Sequence, residues 1–304
     1  MPQPTVSIIT ATYNRSNVLA FALRSALAST WKDWELIVVG DACTDDSQKV
    51  VESLGEPRIR FTNLPRNTGD QSEPNNQGVR LSTGRYIAYL NHDDLWFPDH
   101  LDTAVNALET SEADLVFTLG LALRPGNEQK LSGIPADGLN YEPNIFVPAT
   151  VWVFRRELAK AVGPWLHYRK CYNLPSQNWL FRAYRMGKKL QLVPQITALL
   201  IQGGLRKDVY ARREETENKA YFIRMTHDPG FREELTRQMM MQFAAQNQEG
   251  RFSKNPVRAL RRAANRCLFP LGLNATILKN MVRYHKRGGL VDHLRRHTGA
   301  RKTG

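Results

Sequence analysis

Apolar residues in the first 120 positions fall into short unbroken runs, and stretches with helical spacing separate them. "VSIITATYN" (6–14) and "WELIVVGDA" (34–42) have no helical period and read as strands buried on both faces. Between them, "SNVLAFALRSALAS" (16–29) puts Val18, Leu19, Ala22, Leu23, Ala26 and Leu27 on one helical face. Asp45 or Asp46 is placed to cap the helix "SQKVVESL". "RIRFTNL" (58–64) alternates as a third strand. A polar loop, "PRNTGDQSEPNNQG" (65–78), and a short helix to Ser82 come next. "RYIAYL" (85–90) is a further strand, followed by a helix over 98–109 and the strand "ADLVFTLGL" (113–121).

This β-α-β-α-β alternation predicts an α/β fold with a mostly parallel central sheet and right-handed crossovers. Ligands of such sheets sit beyond the carboxyl ends of the strands. Asn14, Asp41 and the turn Asn91, His92, Asp93, Asp94 all fall at those ends, so three separate segments converge on one rim.

Farther along, residues 122–150 are punctuated by Gly and Pro and read as a wall of an acceptor site. "TVWVFRRELAKAVGPW" (150–165) is strand, helix and stop. "SQNWLFRAYRMG" (176–187) is helical with Gly187 as C-cap, and "KLQLVPQITALLIQ" (189–202) is extended. Helical spacing dominates from about residue 214.

Charge divides the chain. Residues 1–250 hold 28 bases and 28 acids, whereas 251–304 hold 14 Lys or Arg against the single acid Asp292. Basic residues interleaved with Leu, Val, Phe and Met suit an anionic membrane surface. The tail has no nucleic-acid motif, so nucleic acid is the lesser expectation, and a plain oligomerisation arm is the bland one. Cys43, Cys171 and Cys267 follow no metal-ligand spacing and fit a reducing compartment. With neither a signal-like leader nor an apolar run of about 18 residues, the expected location is cytoplasmic or peripheral on the inner face of a membrane.

The adjacent carboxylates Asp93 and Asp94 close an apolar strand, where they repel each other and lose hydration. One reading is a cap for the following helix. The other is a Mg²⁺ or Mn²⁺ ion shared with diphosphate oxygens, since such ions take one or two protein carboxylates. His92 is a turn residue or a ligand. Asp41 caps a turn or accepts hydrogen bonds from a base or ribose. The loop holding Arg66, Gly69, Asn75 and Asn76 is surface punctuation or a place of close backbone approach to a nucleotide.

Taken together, "SIITATYNR", "ELIVVGDACTDDS", "RNTGDQSEPNNQG" and "GRYIAYLNHDDLWFPDHL" resemble family 2 glycosyltransferases over about residues 5–120. A weaker match runs to about 213 through "PATVWVFRREL", "PSQNWLFRAYRMGKKL" and "LRKDVYARR". The resemblance implies a GT-A fold over 1–213, with a nucleotide-binding half (about 1–120) and an acceptor half (about 121–213). Residues 214–304 would then be a basic helical C-terminal region.

It also implies an inverting, metal-assisted transfer from a nucleotide-diphosphate sugar, UDP-sugar by default, to a glycan or lipid-linked acceptor. Thr10, Tyr13 and Asn14 match the nucleoside end, and Asp41 the base or ribose contact. Asn91, His92 and Asp93 match the aspartate-x-aspartate motif, with Asp93 at the metal. Asn91 stands where the motif has its first aspartate, and Asp94 is the compensating carboxylate.

In "SQNW" (176–179), Gln177 and Asn178 stand where relatives carry a carboxylate that acts as base. An amide cannot take that proton, a loss typically worth about 10²–10⁴ in rate. Either Asp137 or Glu142 supplies the base, or the acceptor is a phosphate and needs none, or the site is impaired. A non-catalytic sugar-nucleotide-binding scaffold is the alternative function. In "IQGGLRKDVYARR" (201–213), Gly203 and Gly204 hinge a loop that brings Arg206 or Lys207 onto the diphosphate, or the loop merely leads into the C-terminal helices.

Overall fold

The computed structural model describes residues 3–124, 128–135, 138–143, 145–201, 207–212, 215–250 and 268–300. Asp137, Gly203, Gly204, Arg206, Cys267 and residues 251–267 of the basic tail lie outside these.

A nine-stranded sheet forms the centre, in the order β3-β2-β1-β4-β8-β6-β9-β5, with β7 paired to β6. Its first half is β1 (Val6–Thr12), β2 (Trp34–Gly40), β3 (Ile59–Asn63) and β4 (Tyr86–Tyr89), all parallel. Helices α1 (Ser16–Leu27), α2 (Ser47–Ser53) and α3 (Ser72–Leu81) connect these strands, as the apolar spacing predicts. Asp46 stands at the N-cap position of α2 without a side-chain cap hydrogen bond and pairs with Lys49 on the surface, while Asp45 just before it accepts from Ser47 N at 3.1 Å. Helix α3 lies tight against β1 at Gly78, where an added Cβ would sit 2.3 Å from Ile9 Cγ2. This contact fixes the loop before α3 over the ends of β1 and β2.

The second half departs from a parallel array. Strand β8 (Trp152–Arg155) runs antiparallel to both β4 and β6 (Leu115–Leu123), and β6 is parallel to β9 (Leu190–Ile201). Directly after the carboxylate turn, β5 (Leu95–Trp96) pairs antiparallel with β9, and β7 (Gln129–Ser132) pairs antiparallel with β6. Helix α4 (His100–Glu109) begins two residues later than Pro98 suggests. Asp99 at its N-cap position spends its carboxylate on Arg232 and Gln195.

Helices α5 (Arg156–Val162) and α6 (Pro175–Arg185) follow β8. An aromatic cluster of Tyr89, Trp152, Phe154, Trp165 and Trp179 holds α6 to the sheet, with Tyr89 and Trp165 ring centroids 5.0 Å apart and those of Phe154 and Trp179 5.2 Å apart. Such packing sets where the first turn of α6 points.

After β9 come α7 (Val209–Arg212), α8 (Thr216–His227) and α9 (Phe231–Gly250), then α10 (Ala275–Tyr284) and α11 (Gly289–Thr298). Phe231, Leu235 and Met239 join a second apolar cluster with Leu95, Phe97 and Ile196. The described part of the basic tail packs on the body. Phe269 stacks near Phe181 and Tyr184, and Gly288 N donates to Cys171 O at 2.7 Å. Among the described residues, no helix is long and apolar enough to cross a membrane.

Candidate active site

A cavity of about 330 Å³ opens at the carboxyl ends of β1, β2 and β4, within the usual range for ligand pockets. Strand β1 supplies Ala11, Thr12 and Tyr13, and Asp41 follows β2. Asn67, Gly69, Asp70 and Gln71 form one side, and Asn91, His92 and Asp93 the floor beyond β4. Leu174 and Pro175 come from the start of α6, Val209 and Tyr210 from α7. Val291, Leu294, Arg295 and Thr298 reach the same cavity from α11.

Two aspartates shape the loop over 67–71. Asp41 Oδ1 accepts from Thr68 N and Thr68 Oγ1, both at 2.8 Å, and its Oδ2 accepts from Gly69 N at 3.1 Å. Burial nevertheless pushes its carboxyl above the usual range, and the three donors offset this only in part. Gly69 has φ +89°, a backbone geometry a side chain resists. Asp70 accepts from Ser72 Oγ at 3.0 Å and Tyr168 N at 2.8 Å, which ties the loop to the segment before α6.

The carboxylate turn separates its two acids. Asp94 is 4% exposed and faces inward, where it accepts from Asn91 Nδ2 at 2.8 Å, Ile201 N at 3.0 Å and the Thr150 hydroxyl. Burial first, and the charge of Asp93 second, push its carboxyl up to about 8. The expectation of Asp94 as a metal ligand is corrected on that ground, because its oxygens are consumed joining β4 to β9. Asp93 instead lines the cavity. Its carboxylate accepts no hydrogen bond among the described residues, while Asn218 Nδ2 holds its backbone carbonyl at 2.7 Å. His92 Nδ1 donates to Ala11 O at 3.1 Å, and burial lowers its pKa, so the ring is neutral and Nε2 remains an acceptor.

Other expected positions separate in the same way. Tyr13, Asp41, Gly69, His92 and Asp93 meet at the cavity. Thr10 is fully buried and off it. Asn14, at φ +49°, spends its side chain on Thr44, accepting from Thr44 N at 2.8 Å. Arg66 is exposed and off the cavity, and Asn76 pins Trp165 through both backbone groups, at 3.0 and 2.8 Å. Gln177 is locked on Val147 O and N at 2.8 and 3.2 Å, and neither it nor Asn178 lines the cavity. Glu142 is half-buried and also off the lining.

The sequence pattern did not place Arg15, Tyr210 or any part of α11 at the site. A signal for α11 was present, since Val291, Leu294, Arg295 and Thr298 stand at i, i+3, i+4 and i+7.

Among the described residues, no three His, Cys, Asp or Glu side chains cluster as a metal cage. One cavity-facing carboxylate without an internal partner still fits a Mg²⁺ or Mn²⁺ ion, which keeps waters and phosphate oxygens for most of its shell.

Comparison with known proteins agrees with this architecture. The profile of "Glycosyl transferase family 2" matches residues 7–163. The succinoglycan biosynthesis protein ExoO of Rhizobium meliloti is 32% identical over 139 residues, 43% of this chain and 40% of that one. The putative colanic acid biosynthesis glycosyl transferase WcaA of Escherichia coli is 34% identical over 100 residues, 32% of this chain and 36% of that one. The chain thus spans less than half the length of these relatives. S. aureus TarS 1-349 superposes with a TM-score of 0.56 at 16% identity, covering 75% of this chain and 74% of that one. Its complex with UDP-GlcNAc gives 0.55 at 17%, covering 65% and 58%. The likeness to TarS is one of fold, the GT-A arrangement of sheet and helices. A profile that takes in more than half of the chain, and in it all three strand ends converging on the cavity, makes this chain a member of glycosyl transferase family 2.

Proposed function

We propose that the chain transfers a sugar from a nucleotide-diphosphate donor, UDP-sugar by default, to a glycan or lipid-linked acceptor in polysaccharide or glycolipid synthesis. The observation that carries this is Asp93, a carboxylate without an internal hydrogen bond among the described residues, facing a cavity at three parallel strand ends. The loop held by Asp41 and Asp70 receives the nucleoside, and Leu174 and Pro175 border the acceptor. Asp93 would hold the divalent cation, which when bound neutralises charge on the departing diphosphate. Exposed Val282, on the same helix as Lys279 and Arg283, and exposed Leu271 in the turn before it support work against an anionic lipid surface.

Calorimetric titration of UDP, GDP and dTDP, with and without Mn²⁺, tests the donor site. One nucleotide is expected to bind with metal dependence in the wild type and to lose that dependence in Asp93→Ala. Binding of none of the three would end the donor reading.

The amide at 178 motivates a second reading, a sugar-nucleotide-binding scaffold without turnover. An acceptor whose nucleophile is already ionised, such as a lipid-linked phosphate, needs no base, and we favour that acceptor class. Because Asn178 lies off the cavity, Asn178→Asp is expected to leave nucleotide affinity and turnover within about threefold of wild type. A rise of about 10² or more in turnover would mark a lost base instead and favour the scaffold.

A further inference from the structure

Arg15 is 3% exposed and lines the cavity. Its Nη1 donates to Val209 O at 2.8 Å, its guanidinium lies 5.2 Å from the Tyr210 ring centroid, and its Nε meets no acceptor among the described residues. Nor does a carboxylate lie within ion-pairing distance of it among those residues. A cation desolvated in this way is costly until an anion joins it.

Arg295 approaches the same end of the cavity from the basic tail. Helix α11 is set in place by Asp208 N donating to His297 O at 2.9 Å and by Gly288, whose φ of +78° lets the chain turn against the Tyr168 ring. Its i, i+3, i+4, i+7 face then falls on the cavity, with Val291 and Leu294 as apolar wall and Arg295 beside them. Arg295 Nη1 is 3.5 Å from Tyr168 Oη, at the limit of hydrogen-bond distance. The surroundings of the Tyr210 hydroxyl include Asp93, Arg15 and Arg295 together. Two guanidiniums and one metal-type carboxylate at one end of a pocket form a seat for a doubly charged phosphate group, which planar guanidinium forks match.

We propose that α11 is the outer wall of the donor site and that Arg295, together with Arg15, receives the diphosphate of the nucleotide. This rests on the donor reading above. The basic tail thereby gains a second role, the discrimination of diphosphates from monophosphates.

The test uses the full chain as wild type, Arg295→Gln and Arg295→Lys, titrated with UDP, GDP and dTDP, their monophosphates, and inorganic pyrophosphate. In Arg295→Gln the diphosphate nucleotide and pyrophosphate are expected to weaken about tenfold or more, with the monophosphate changed much less. Arg295→Lys is expected to fall between. An unchanged preference for diphosphate over monophosphate overturns the proposal. Equal weakening of both does so too, since it would mark lost packing of the wall rather than a lost anion contact. If wild type binds pyrophosphate but no nucleotide, the donor reading fails while the anion seat stands. If it binds neither, both fall.

Discussion

Replacing Asp94 with alanine leaves three buried donors unpaired and is expected to destabilise the fold by about 3 kcal/mol or more and to lower the thermal midpoint by roughly 10 °C. The carboxylate sits where β4 ends, and its three donors come from Asn91, Thr150 and Ile201, in separate parts of the chain. Truncation leaves all of them without an acceptor in a site closed to water, each costing about 1–3 kcal/mol. Asp94→Asn keeps one oxygen for Ile201 N but turns a second amide donor toward Asn91, so it should fall between alanine and wild type. Asp93→Ala removes no internal hydrogen bond of its carboxylate among the described residues and should leave the midpoint within a few degrees. Urea denaturation of the three variants measures this directly. Equal midpoints for Asp93→Ala and Asp94→Ala would refute the division of labour between the neighbours.

One buried histidine should make part of the protein's stability acid-labile. His100 is 1% exposed, stacked on Trp96 with ring centroids 4.3 Å apart, and its Nδ1 lies 2.7 Å from Thr197 Oγ1. Its Nε2 has no partner among the described residues. Burial lowers its pKa to about 3, against only a weak opposing pull from Asp99. A histidine whose folded pKa lies below the unfolded value near 6.5 takes up its proton first in the unfolded chain. Its contribution is therefore complete above pH 6.5 and is lost as pH falls toward 3, by about 1.4 kcal/mol per unit. Between pH 7 and 5 the buried Asp94 carboxyl, protonated in the fold and ionised in the unfolded chain, contributes a slope of opposite sign. The histidine contribution is therefore read as the difference between urea midpoints of wild type and His100→Gln, the variant lacking the loss on acidification that His100 causes. Identical slopes for variant and wild type would contradict the assignment.

Much of the first half of the fold could be read directly, because runs such as "VSIITATYN" and "WELIVVGDA" are apolar enough to be buried on both sides. The rim followed from them, since strand ends are where apolar runs give way to Asp41 and Asp93. Adjacent acids were harder to tell apart. Asp93 and Asp94 look alike in sequence, and only the arrival of β9 and Thr150 decides which one turns inward. The direction of β8 was equally hidden, because a four-residue apolar strand carries no record of its neighbours. Asn76 and Gln177 suited a ligand by type, yet both are taken up by backbone groups far away in the chain, Trp165 and Val147. Net charge drew attention away from α11. A stretch of Arg and Lys interleaved with apolar residues reads as a membrane-surface helix, and the same spacing serves equally for packing against the body.

The cavity draws its walls from residues as far apart in sequence as Ala11 and Ala300. During synthesis the strands and the loop held by Asp41 emerge first, and the wall carrying Arg295 leaves the ribosome hundreds of peptide bonds later. The cavity in its finished form is therefore absent while the parallel strands first assemble, and it closes only once α11 has emerged.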